Sequence, residues 1–371
     1  MRRHTAAFVL LTGPALLLLA APPRPDKGAT GPKPLEKIAF GSCLRQTREA
    51  PVLDSVVSFR PDLFVFLGDN VYADTEDMEE MREVYARLAA IPGFSALRRA
   101  CPVLATWDDH DYGANDAGAE YPMKARSKVV FLDFWGEPKD SPRRRRPGVY
   151  DAKVFGPPGK RVQVILLDTR YNRSALKKRR LYDRSEGPYE PNPDPDATIL
   201  GPEQWAWLKE RLLEPAELRL LCSSIQVVGD DHDREKWGNF PAERDRLFRL
   251  LRETRAEGVV VLSGDIHISE LSAIDAHLGY TLYDLTSSGL TEAAYNLRPL
   301  HANRNRIGSA VRGNNFGAVQ VRWADGDAKV SLELRDETRG LALERQLSLK
   351  DLRRGAVTVP SAAPPPPAAG S

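Results

Sequence analysis

The chain has 371 residues, 42% of them hydrophobic, enough for one large domain or for two or three smaller ones. Its 53 basic and 51 acidic residues give a formal net charge of +2, and loss of Arg2 and Arg3 with a leader would balance the two. Such a protein has no global field to draw it to nucleic acid, and three cysteines (Cys43, Cys101 and Cys222) are too few for a disulfide framework.

The opening "MRRHTAAFVLLTGPALLLLAAPPRP" has two arginines, an apolar stretch and small residues before prolines. That order predicts a secretory signal over residues 1–21, Sec or twin-arginine, rather than a membrane span, for which the stretch is short and broken by Pro14. A flexible leader over 22–35 and a Pro/Ala-rich disordered tail over 346–371 flank a single domain at 36–345. The expected localisation is secreted or periplasmic, and the expected state a monomer.

Within the domain, apolar runs predict strands over 37–43, 63–69, 102–109, 161–169, 219–228, 258–265, 281–288, 315–323 and 329–336. Helical patterns fill 76–90, 124–135, 203–213 and 241–256, the last opening on proline and closing on glycine. The alternation indicates an α/β fold that turns more antiparallel toward the C-terminus. Cys101 and Cys222 sit beside apolar runs and read as buried, although a bridge between them stays open in an oxidising compartment. The basic runs "RRRR" (143–146) and "KKRR" (177–180) read first as solvated loops, or as anion attractors if they lie near a site.

Four strands end alike. "IAF" runs into Gly41-Ser42-Cys43, "FVFL" into Gly68-Asp69-Asn70, "VLAT" into Trp107-Asp108-Asp109-His110-Asp111, and "VVVLS" into Gly264-Asp265-Ile266-His267. Carboxyl ends of parallel strands open on the crevice where α/β proteins bind ligands. A single Gly-Asp after a strand is ordinarily a turn, but that explanation has to be invoked four separate times here. Carboxylates and imidazoles together suit hard and borderline metals. Tyr72, three residues after Asp69, adds a hard phenolate donor suited to Fe(III). Cys43 is either a thiolate ligand or a small buried hydrophobe.

Taken together, "FGSC", "GDNVYAD", "WDDHDYGAND", "LLDTRYNR", "LGPEQWAWLKERL", "WGNFPAERDRLF" and "LSGDIHIS" resemble the alkaline phosphatase D (PhoD-like) family over about residues 36–290. The resemblance implies a calcineurin-like metallophosphatase sandwich, two mixed β-sheets flanked by helices, with Fe(3+) and Ca(2+) or another divalent metal. It makes Asp69 the bridging ligand, places Cys43, Tyr72 and His267 on the iron side, and gives Asp109 and Asp265 to the second metal. Gln226 falls near a further ligand position. Asp108 and Asn115 complete the metal shell or hold phosphate. His110 faces substrate as acid, and Arg170 grips a phosphate oxygen. Arg173 does the same or pairs with Asp168 or another acid. His232, in "GDDHD", is read as a loop residue near the site, and Asp111 stands where glutamate is expected. The implied reaction is in-line attack of metal-activated water on phosphate esters, from small molecules to phospholipid headgroups. A phosphodiesterase or phospholipase on the same site is the alternative within the enzyme class. A secreted metal- or phosphate-binding module without turnover is the alternative outside it.

Overall fold

The structure is a computed structural model that describes residues 33–182, 187–295 and 302–357. The expected signal over 1–21, most of the leader and the end of the tail lie outside the described residues. Among those residues, no helix is long and apolar enough to cross a membrane.

Two sheets make the frame. The first holds β1 (Lys37–Gly41), β2 (Leu63–Leu67), β3 (Val103–Thr106), β11 (Asn315–Arg322), β12 (Lys329–Asp336) and β13 (Leu341–Ser348), in the order β13-β12-β11-β1-β2-β3. The second holds β4 (Asp151–Phe155), β5 (Val162–Leu166), β6 (Leu218–Cys222), β7 (Val259–Ser263), β8 (Ser269–Ile274), β9 (Leu282–Thr286) and β10 (Arg306–Val311), in the order β10-β8-β9-β7-β6-β5-β4. Strands β1, β2 and β3 are parallel, as are β5, β6, β7 and β9, while the later additions pair antiparallel.

Side-chain alternation explains the layering. In β2, Leu63, Val65 and Leu67 point to the core between the sheets, while Phe64 and Phe66 point to the core beneath the helices. Both faces are covered, so the strand reads as an unbroken apolar run. A third core, with Trp205, Leu208, Leu247 and Leu251, joins the second sheet to the helices Gly201–Leu212 and Pro241–Glu253. The result is helices, sheet, sheet, helices. The sheets are tied at their carboxyl ends, where the Thr106 hydroxyl donates to the Leu167 carbonyl (2.7 Å) and the Ser42 amide to the Ser287 carbonyl (3.2 Å).

Several sequence expectations need correction. The tail expected from 346 does not begin there: Gln346–Ser348 completes β13, and Leu349 and Leu352 are buried in the inter-sheet core. Strands β4, β8, β10 and β13 and the helices Pro51–Phe59 and Pro92–Ala100 were not signalled by the apolar runs, which in β4 and β13 are interrupted by exposed polar residues. Cys101 and Cys222 are free and buried in different cores, with the first sheet between them. The "RRRR" run is not a solvated patch. Arg143 is buried and donates to the carbonyls of Ala105 (2.7 Å) and Val149 (2.5 Å), so it pins the edge strand β3 from outside. In the second run, Lys177 pairs with Glu190 (2.9 Å) and Arg179 with Asp233 (2.6 Å).

Candidate metal centre

Every parallel strand of the first sheet, and β7 of the second, delivers its last residues to one point. The donor atoms of Cys43, Asp69 and His267 lie within 4.8 Å of one another, as do those of Asp69, Asp109 and His110, and those of Asp69, Asp108, Asp109 and Asp265. Asp69 belongs to all three groups. A further group joins Asp109 to Asp116 and Glu235 on the same 4.8 Å criterion. Tyr72 completes the first set, its hydroxyl 3.3 Å from the Asp69 carboxylate and 3.1 Å from His267 Nε2.

The backbone at these positions is unusual. Cys43, Asp69, Asp265 and His267 all take left-handed conformations (φ 62°, 49°, 73° and 59°). Non-glycine residues held there cost of order 1 kcal/mol each and persist where surrounding structure over-determines them. Gly68 is needed for contact: at φ 108°, a Cβ would stand 2.5 Å from that of Asp108. The strand ends of β2 and β3 therefore meet with no room for a side chain. Asp111 locks that meeting, accepting from the Asp108 amide (2.6 Å) and the Asn70 side chain (2.5 Å). Its shorter side chain thus serves a structural purpose at this position.

Electrostatics divide the donors. Burial pushes the Cys43 thiol up to about 12 and holds the Asp69 and Asp265 carboxyls and the Tyr72 phenol well above their ordinary ranges. Burial also lifts Asp108 and Asp116 to about 7. For Asp109, burial works upward but the charges of Arg170 and then His110 hold it below the usual carboxylate range. Two acceptor atoms, Asp69 Oδ1 and Asp108 Oδ2, are buried without a protein partner. Orphaned carboxyl oxygens, disfavoured as anions without a counter-charge, beside thiol, phenol and imidazole donors are the composition a site has when cations complete it. The donor set fits metal ions.

A cavity of about 290 Å³ opens over the group, lined by Asp69, Asp109, His110, Asn115, Asp265 and His267 among others. His110 Nδ1 is held 2.8 Å from the Asp74 carboxylate, and its ring lies 4.2 Å from that of Tyr72. Burial works to lower the His110 pKa, but the Asp74 hydrogen bond and the charges of Asp109, Asp74 and Asp108 together outweigh it and keep the imidazolium to higher pH. Asn115 stands at the cavity, donating to Asp116 (2.8 Å).

Three expected residues sit elsewhere. Arg170 is fully buried behind the cluster, with Nε 2.5 Å from Asp108 and Nη1 2.6 Å from Glu235, so both arms end on carboxylates. Arg173 is buried likewise, with Nε 2.9 Å from Glu235 and a bond to the Asp116 carbonyl. Gln226 is not among the residues that line the cavity. Its amide is committed to Glu270 and Thr286 (2.9 Å each) and its carbonyl to His232 (2.9 Å). His232 is a loop residue, as read, and is buried in that contact. Sequence reading passed over Asp74, Asp116, Tyr189, Arg234 and Glu235. The first two stand inside quoted motifs, and Arg234 and Glu235 lie between "GDDHD" and "WGNFPAERDRLF", so proximity to a motif was the signal available.

A two-sheet sandwich with helices outside, carrying such donors on its strand ends, is a calcineurin-like metallophosphatase fold. A family model described as PhoD-like phosphatase matches residues 146–331, half of the chain. The chain belongs to the PhoD-like phosphatase family. It is 24% identical over 238 residues to alkaline phosphatase D of Bacillus subtilis (strain 168), a match covering 58% of this chain and 40% of that protein's length. The solved structure titled "Structure of PhoD" superposes with a TM-score of 0.67 at 19% identity, over 90% of this chain and 73% of that one.

Proposed function

We propose that this protein is a secreted, monomeric, metal-dependent phosphoester hydrolase of the alkaline phosphatase D type. The observation that carries the reading is the convergence of Cys43, Asp69, Tyr72, Asp109, Asp265 and His267 beneath a cavity that also presents His110. Cys43, Tyr72 and His267 would hold Fe(3+), Asp109 and Asp265 would hold Ca(2+), and Asp69 would serve both. Asp108 and Asn115 support the oxygen-rich side. When bound, the cations offset phosphoryl charge and make a water acidic enough to act as nucleophile.

The chain's own residues supply the rest. With Nδ1 occupied by Asp74, His110 presents Nε2 to the cavity, the geometry of a general acid. As the water oxygen bonds to phosphorus, the ester P–O bond opposite breaks. The departing alkoxide takes the electron pair and then the Nε2 proton. Arg170 and Arg173 act as positioning residues, their charges offsetting Asp108, Asp109 and Glu235 so that these acids can crowd together.

The test is metal analysis of the purified protein, paired with rates on p-nitrophenyl phosphate and its bis-ester at alkaline pH. Expected are bound iron and calcium, turnover abolished by chelator, and a loss of at least about 100-fold in Asp69→Asn. A tyrosinate-to-iron absorption band should vanish in Tyr72→Phe. Metal-free protein that hydrolyses either ester at full rate would end the proposal.

A further inference from the structure

We infer that Arg234 is the cavity's phosphate-gripping cation and biases it toward phosphomonoester dianions over diesters, a statement that rests on the proposed hydrolase. The loop Asp230–Lys236 is dense in charge, and nearly all of it is spoken for. Asp230 pairs with Arg244 (2.9 Å), Asp231 with Arg304, Asp233 with Arg179 (2.6 Å), and Glu235 with Arg170 (2.6 Å) and Arg173 (2.9 Å). Lys236 donates to the carbonyls of His232 and Arg234. Arg234 differs: among the described residues, no carboxylate or carbonyl accepts from its guanidinium, and its Nε is shielded from solvent without a partner. Arg234 lines the same cavity as Asp69, Asp109, His110 and His267.

A guanidinium beside several carboxylates would ordinarily pair with one of them. Here, anchors on both sides of Arg234 hold the loop, and the acids nearest in sequence are already occupied. The fork is left for an anion that enters from outside, and paired N–H donors match two oxygens of one phosphoryl group. A monoester dianion offers one more anionic oxygen than a diester, whose second substituent takes that place. The residue assigned to phosphate by motif, Arg170, has no such freedom because both of its arms end on buried acids.

The experiment compares wild type, Arg234→Met and Arg234→Lys on p-nitrophenyl phosphate and bis(p-nitrophenyl) phosphate, with calorimetric binding of inorganic phosphate to each. Arg234→Met should lower kcat/KM about 10- to 100-fold on the monoester but less than about threefold on the diester, with phosphate affinity falling at least about tenfold. Arg234→Lys should recover part of both. Equal losses on the two esters, or unchanged phosphate affinity in folded Arg234→Met, would overturn the assignment. If wild type hydrolyses neither ester, the hydrolase reading fails, and the phosphate titrations still decide whether Arg234 binds the anion.

Discussion

The two halves of the donor cluster are built on opposite principles. On one side stand Cys43, Tyr72 and His267, groups that can be neutral, held by hydroxyls: Ser288 lies 3.2 Å from the Cys43 sulfur and accepts from the His267 amide (2.8 Å). On the other stand Asp108, Asp109, Asp116, Asp265 and Glu235, with Arg170 and Arg173 buried behind them. A buried charge is tolerable only when paired, so the acidic half carries its own cations in the fold, and the neutral half needs none. The lesson is that arginines beside a cluster of buried acids can be held there by the acids themselves.

The contrast predicts unequal damage. Arg170→Met leaves Asp108 buried without its guanidinium and Glu235 with Arg173 alone, so unfolding by denaturant should show a loss of about 3–5 kcal/mol. A loss under about 1 kcal/mol would mean that the acidic half does not depend on its internal cations.

Next comes pH. Burial lifts Asp111 to about 8 and Asp108 to about 7 from an ordinary 3.8, so chelator-treated folded protein keeps protons that the unfolded chain has released. Their contribution is fully present below the unfolded value and disappears as pH rises through the folded one. The Tm of chelated protein should therefore decline between about pH 4 and 8, each such carboxyl contributing up to about 1.4 kcal/mol per pH unit. Readdition of cations should flatten the slope; an equally steep decline in metal-loaded protein would contradict this account.

The smallest effect belongs to the neutral half. Ser288→Ala removes one hydroxyl from Cys43 and His267 and should cost about 1 kcal/mol, measured in the same denaturant series. A loss matching that of Arg170→Met would erase the distinction between the halves.

Most of the site was legible because strand ends are legible. An apolar run buried on both faces must stop where polar groups begin: β1, β2 and β7 stop at or next to a glycine, and β3 runs through Thr106 and Trp107 into Asp108. The later strands were harder, since β13 lies half-exposed at a sheet edge and its pattern reflects solvent as much as core. Side-chain direction was not legible at all. "DTR" sits at a strand end and looks like a phosphate grip, yet Arg170 turns inward to Glu235, 65 residues away.

Local chemistry in the chain thus determined which segments become strands, which residue types cap them, and that these caps suit cations. Hydrophobic periodicity and turn preference act over a few residues and leave their mark in order. Only tertiary packing decided which charges neutralise one another, because an ion pair depends on where two distant segments dock. Glu235 took both Arg170 and Arg173, Gln226 was drawn off by Glu270, Thr286 and His232, and Arg234 was left lining the cavity.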